Sequence, residues 1–251
     1  MTDPFAVVDY SRLIDWEARL ERETPFLARV LATAPARRVL DLGCGTGEHA
    51  RMLASQGFTV VGVDASDAML ARARQHSSEG NPSYVLGDVS DVGSLVSGEF
   101  GGAICLGNTL PHVTTAADLD RLVHGLRERL LSGAPLLIQL LNYERIFAKT
   151  QRALPTNVMP EGEGDLVLVR LMDPRPDGQV IFTPAVCRYR PEADQPLELL
   201  SARSVRLRGW RRPELETALQ RGGFASIELY GTIDGGPYAA PESADLILVA
   251  R

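Results

Sequence analysis

The segment VLDLGCGTGEHA, residues 39–50, limits what this chain can fold into more than any other stretch. An apolar run ends, Gly43, Gly45 and Gly47 follow within five positions, and a polar, helix-forming run begins. That is the pattern of a strand, a tight turn and a helix N-terminus, the place where a ligand docks on an α/β sheet. Backbone N–H groups and the positive end of a helix dipole suit such a turn to a nucleotide-like molecule.

The rest of the chain repeats the alternation. RRVLDLG, FTVVGVD, SYVLGDV, FGGAICLG and PLLIQLLN are short apolar runs with helical segments in most of the gaps between them, which predicts a parallel sheet covered on both faces. Ser66 is placed to cap the helix DAMLARARQHS. In TTAADLDRLVHGLRERLLSGA, Leu119, Leu122, Val123, Leu126 and Leu130 make one stripe, with Thr114 or Thr115 before it and Gly133 after it. RRPELETALQRGGF predicts a further helix, and SIELYG and ADLILVAR bring the sheet to about seven strands. Ahead of the core two helices are expected, one carrying Leu13, Trp16 and Leu20, the next opened by Thr24 and Pro25. Residues 150–208 break the rhythm. DLVLVRLMD, GQVIFTPAVCRYR and RSVRLRGW read as an antiparallel β insertion, with RPDG as a hairpin turn. The expected organisation is one domain over 1–251: a helical cap at 1–36, a ligand-binding core at 37–149, the insertion at 150–208, and a closing helix and strands at 209–251.

Composition removes several classes of function. Lys and Arg number 26 against 32 Asp and Glu, a net charge of −6, and no dense basic tract appears, so nucleic acid is not expected as a partner. No apolar run approaches the ~20 residues of a membrane span, and the N-terminus lacks a basic region followed by an apolar one, so a cytoplasmic, membrane-free protein is expected. Cys44, Cys105 and Cys187 are odd in number and far apart, giving neither a disulfide framework nor metal-ligand spacing. Buried, reduced thiols and no metal are expected.

The turn reads G-x-G-x-G rather than the G-x-G-x-x-G of dinucleotide sites, and the Lys of a phosphate loop is absent, which counts against a pyrophosphate. Asp64 ends the second strand about twenty positions beyond Gly43, where a carboxylate accepts from both hydroxyls of a ribose. Asp88 ends the third strand on the same edge and is placed to accept from an exocyclic amine, with Val89 beside the ring. An adenosine-bearing ligand follows. A nicotinamide-dependent oxidoreductase and a non-catalytic binding module remain alternatives.

Taken in order, VLDLGCGTGEHA, VVGVDASDAML, VLGDVSD and GAICLGNTLPH resemble the four cofactor motifs of class I S-adenosylmethionine-dependent methyltransferases. The resemblance implies a Rossmann-like, seven-stranded, mostly parallel sheet with its last strand antiparallel. It assigns Asp41, Gly43, Cys44, Gly45 and Gly47 to the amino-acid part of the cofactor, Asp64 to its ribose, and Asp88 and Val89 to its adenine. Ala65 and Met69 would line the adenine pocket, and Leu106 and Asn108 would flank the methionyl part. On this view the glycines make room for the homocysteine portion of S-adenosylmethionine, and S-adenosylhomocysteine is the product. DYSRLIDWEARLERE, CLGNTLPH, LLNYERI and the late insertion are more loosely similar to glycine/sarcosine N-methyltransferases. That similarity implies a small-molecule acceptor, an amine rather than a hydroxyl or carboxyl oxygen, with Tyr10 or Trp16 folding over the site and the insertion walling it. Asn108, His112 and Tyr143 are the expected catalytic groups, His112 as a base. Asn142 and Tyr143, after the fifth strand, are expected to contact the acceptor, and Arg170, Arg188 or Arg190 to grip a carboxylate on it. The chain is expected to be a monomer or homodimer.

Overall fold

In the computed structural model, which describes residues 13–251, the first part of the chain alternates strand and helix. α1 (Trp16–Leu31) precedes β1 (Arg38–Leu42), α2 (Glu48–Ser55), β2 (Thr59–Asp64), α3 (Asp67–Gln75), β3 (Ser83–Leu86), α4 (Val92–Leu95), β4 (Gly102–Cys105), α5 (Ala116–Arg129), β5 (Leu136–Leu141) and α6 (Tyr143–Ala148). Five strands follow: β6 (Ala153–Met159), β7 (Asp165–Pro174), β8 (Gln179–Tyr189), β9 (Leu197–Ala202) and β10 (Val205–Arg208). α7 (Arg212–Arg221), β11 (Ile227–Tyr230) and β12 (Asp245–Ala250) close the chain.

One sheet runs β11-β12-β5-β4-β1-β2-β3. β12 is antiparallel to both neighbours and the other pairs are parallel. Strand order reverses at β1, whose neighbours are β4 and β2, so a crevice opens at the carboxyl ends there. The strands read as unbroken apolar runs because both faces are covered. In β1, Val39 packs with Phe26 and Leu27 of α1 and Leu53 of α2, whereas Leu40 and Leu42 join the opposite core, where Leu122 and Leu126 of α5 and Leu215 and Leu219 of α7 lie. Ser66 and Thr115 cap their helices by accepting from the backbone N–H groups of Met69 and Asp118, each at 3.1 Å. No described helix is long and apolar enough to cross a membrane.

The second sheet is antiparallel, ordered β10-β8-β7-β6, with β9 also pairing β8. β9 and β10 lie one after the other along the same edge of β8, β9 against residues 185–189 and β10 against 179–182. The RPDG turn joins β7 to β8, closed by the Arg175 N–H donating to the Gln179 carbonyl at 2.8 Å.

Two expectations need correction. The two helices expected ahead of the core are, in the described residues, the single helix α1, which passes through Pro25. Leu13 precedes that helix and packs on Leu166, Leu168 and Val186 of the second sheet. Pro25 is tolerated because it is exposed, so the carbonyl it fails to satisfy stays in water, while Phe26, Leu27, Val30 and Leu31 bury the next turns. The insertion holds five strands where three runs were expected. β6 and β9 escaped because one contains Pro155 at an irregular edge and the other is short and largely exposed.

Candidate active site

Every feature at the crevice follows from where β1 ends. Gly43, Gly45 and Gly47 all have left-handed φ, at 70°, 55° and 84°. The Gly43 and Cys44 N–H groups both donate to the Val63 carbonyl of β2, at 2.7 and 3.2 Å, which pins the loop to the neighbouring strand. A side chain at Gly43 would collide with Thr109 and one at Gly47 with the Tyr84 hydroxyl, whereas nothing lies within 4 Å of where a Gly45 side chain would begin. Only Gly45, then, presents an open face. Gly43 and Gly47 are required by the protein's own packing against Thr109 and Tyr84.

The Gly45 and Ser66 N–H groups donate to the two oxygens of Asp64, each at 2.8 Å, so the carboxylate is fixed in orientation. A carboxylate oxygen accepts more than one hydrogen bond, so this arrangement still suits paired hydroxyls. Asp88 accepts from the Ser90 N–H at 2.8 Å and opens a short 3₁₀ turn. After β4, Asn108 takes a left-handed backbone, φ 66°. Its Oδ1 accepts from the Leu141 N–H at 3.1 Å and its Nδ2 donates to the Tyr143 hydroxyl at 3.2 Å, tying the ends of β4 and β5 together.

Asp41 is 3% exposed, and its Oδ2 is buried without a hydrogen-bond partner. Burial pushes its pKa up to about 6, opposed by the nearby His49 and reinforced by Asp64 and Glu48. Beside it, His49 Nε2 and Glu23 Oε2 are 2.6 Å apart, and Arg19 Nε donates to Glu23 Oε1 at 2.9 Å. Burial alone would raise Glu23, but the bond to His49 and the Arg19 charge hold it below the usual carboxylate range. The Trp16 ring stands edge-on to His49 with centroids 5.6 Å apart, under the Arg19 guanidinium, and its Nε1–H is buried without a partner.

Trp16, Arg19, Glu23, Asp41, His49, Asp64, Asp88 and Asn108 border one cavity of about 1180 Å³. This exceeds the roughly 300–1,000 Å³ typical of a pocket for one small ligand. One end is the glycine loop with Asp41, Asp64, Ala65, Met69, Asp88, Val89 and Leu106. The other is roofed by Leu154, Arg170, Phe182 and Leu207 of the second sheet, with His112 at the junction. Burial lowers the His112 pKa against the opposing charge of Asp88, so the imidazole is neutral at pH 7. Burial pushes the Cys44 thiol well up, which keeps it protonated and a poor nucleophile. All three cysteines are buried and free, and among the described residues no cluster of metal-ligating side chains occurs.

The structure thus brings Asp41, Gly43, Cys44, Gly45, Asp64, Ala65, Met69, Asp88, Val89, Leu106, Asn108, His112 and Trp16 to one cavity. Gly47, Asn142 and Tyr143 do not border it, and Tyr10 lies outside the described residues. Asn142 is fully buried as the N-cap of α6, accepting from the Arg145 N–H and donating to the Ser243 carbonyl at 3.0 Å. Tyr143 is 1% exposed, and burial raises its pKa, so the phenol stays protonated, hydrogen-bonded to Asn108. Arg19, Glu23 and His49 went unnoticed in the sequence. The signal for the first two was their helical spacing from Trp16, at three and seven positions, which places all three on one face.

Comparison with known proteins finds methyltransferase relatives. Residues 39–133 match the family model described as a methyltransferase domain. The glycine/sarcosine N-methyltransferase of Parasynechococcus marenigrum (strain WH8102) is 36% identical over 141 residues, covering 55% of this chain and 49% of that protein. The chain therefore spans about half the length of the curated relatives it matches. Among solved structures, an S-adenosylmethionine-dependent methyltransferase from Clostridium acetobutylicum superposes with a TM-score of 0.75 at 14% identity, covering 97% of both chains. An amino pentose methyltransferase from Micromonospora echinaspora, solved with S-adenosylmethionine bound, gives 0.73 at 18% identity, covering 97% of this chain and 94% of that one. The chain thus carries a segment, residues 39–133, that matches a methyltransferase domain, on a fold shared with S-adenosylmethionine-dependent methyltransferases, and over about half its length it is similar to glycine/sarcosine N-methyltransferases.

Proposed function

We propose that the chain moves the methyl group of S-adenosylmethionine to a small-molecule acceptor, and that the receiving atom is an amine nitrogen. One observation carries the donor half of this reading. Two buried polar atoms of opposite kind, the acceptor Asp41 Oδ2 and the donor Trp16 Nε1–H, belong to residues bordering the same cavity and have no partner. Each such orphan costs roughly 1–3 kcal/mol, and the zwitterionic end of an amino acid satisfies both. Its ammonium would donate to Asp41, and its carboxylate would accept from Trp16 with Arg19 nearby. Asp64 is assigned the ribose hydroxyls, Asp88 the adenine amine, and Ala65, Met69 and Val89 the ring.

S-adenosylmethionine, when bound, supplies a sulfonium-activated methyl group that is displaced in line. The protein's part is alignment and exclusion of water. Asn108, held by Leu141 and Tyr143, keeps the end of β4 in place. α1 closes one side of the cavity and the second sheet another, so the chain acts as one unit. His112, neutral at pH 7, takes the proton that an amine must lose, at its imidazole nitrogen. The nitrogen acceptor is supported by the relatives named as glycine/sarcosine N-methyltransferases.

Titration calorimetry with S-adenosylmethionine and, separately, with NAD tests the donor. S-adenosylhomocysteine release over a panel of amines, alcohols and acids tests the acceptor. Binding of the sulfonium and turnover with amines are expected. Tight NAD binding alone would reject the donor, and turnover with alcohols or acids only would move the acceptor to oxygen.

A further inference from the structure

The acceptor end of the cavity holds a charge that the reading above leaves unused. Leu154, Arg170 and Pro184 stand directly opposite one another across β6, β7 and β8, and all three border the cavity. Leu168 and Met172, two positions either side of Arg170 on the same face, are 0% and 2% exposed. A guanidinium set in such an apolar row carries a desolvation cost unless an anion pairs with it. No carboxylate among the described residues does so. Nη2 of Arg170 donates to the Pro155 carbonyl at 2.7 Å and to Asn157 Oδ1 at 2.8 Å, while its Nε–H is buried without a partner.

The Nη2 bonds have a structural purpose, because they span the shift in β6–β7 register between Leu154 and Asn157. They leave the Nε and Nη1 hydrogens to something else. The other two arginines singled out in this region are already occupied, Arg188 by Glu161 at 3.6 Å and Arg190 by Glu198 at 3.3 Å, and neither borders the cavity. The opposite end of the cavity is acidic, with Asp41, Asp64 and Asp88, which suits a cationic donor and repels an anion. Besides Arg170 and its partner Asn157, the second sheet lines the cavity with Leu154, Phe182, Pro184 and Leu207, all apolar.

Taking the methyl-transfer reading as its basis, we infer that Arg170 is a specificity-determining residue that pairs with a carboxylate on the acceptor, and that the acceptor is an organic acid with an aliphatic or aromatic body. A neutral amino sugar would leave the guanidinium unpaired. A very small acid would leave the surrounding apolar wall uncovered.

The test uses the full chain saturated with S-adenosylhomocysteine, titrated with two matched pairs: phenylacetate against phenylacetamide, and butyrate against butyramide. Each acid is expected to bind about tenfold or more tighter than its amide, the scale of one hydrogen bond to a charged group. Arg170→Gln should erase that ratio and Arg170→Lys restore part of it, since the charge returns without the fork. S-adenosylhomocysteine affinity should not change in either variant. If Arg170 only pins β6, substitution weakens acid and amide alike and leaves their ratio intact. That result overturns the inference, as does a wild-type protein that binds acid and amide equally or binds neither. Failure to bind S-adenosylhomocysteine strikes the methyl-transfer reading instead, so the two can be told apart.

Discussion

Asp41 is held in the folded protein with its carboxyl pKa near 6, against 3.8 for the ordinary group. The folded state therefore binds that proton more tightly than the unfolded chain does, and stability is lost as pH rises across that window. A difference of about two units corresponds to about 3 kcal/mol. Asp41→Asn should accordingly raise the melting temperature of the ligand-free protein at pH 7.5. It should also weaken S-adenosylmethionine binding, because an ammonium needs the charged oxygen. In the wild type, calorimetric affinity for the donor should fall as pH drops through 6, and the Asn variant should lose that dependence. His112 behaves in the opposite sense. With its pKa lowered by burial, it stays neutral to more acid pH than an ordinary histidine, so the acid limb of kcat/KM should lie below 6.5, the ordinary value. His112→Asn should reduce kcat by about a hundredfold or more with donor affinity unchanged. Single-turnover rates and calorimetry check the two halves. Asp64, Asp88 and the glycines were legible because strand-end position and glycine spacing are written in consecutive residues. Arg19, Glu23 and His49 were not, because their meeting depends on how α1 packs against α2, which no local pattern encodes.

At the scale of elements, the central strands β1, β2, β4, β5 and β12 of the main sheet were readable because they are buried on both faces and therefore largely apolar. β6 and β9 lie at sheet edges with several exposed residues, so neither period nor composition marks them. The continuity of α1 was hidden for a related reason. Pro25 is a strong local stop signal, overridden by the burial of Phe26, Leu27, Val30 and Leu31 beyond it. Pro25→Ala should restore a helical hydrogen bond at an exposed position and stabilise the protein by roughly 1–3 kcal/mol. Chemical denaturation would show this as a higher midpoint with an unchanged slope. An equal or lower midpoint would mean that the helix is already adapted to the proline.

For the molecule as a whole, the donor end is flanked by α1, while α5 and α7 pack on the far face of the sheet. Donor binding should therefore slow amide hydrogen exchange in residues 16–23 and leave α5 and α7 unchanged. Uniform protection of all helices would instead report global tightening. The antiparallel sheet borders the cavity through a few side chains, Leu154, Asn157, Arg170, Phe182, Pro184 and Leu207, hung from a hydrogen-bonded lattice that the glycine loop does not share. Its ceiling can be refurnished without moving the beams. Under the proposed function, substitutions at 154, 170, 182 and 207 offer a way to retune which molecules are methylated while the methyl source is held as before.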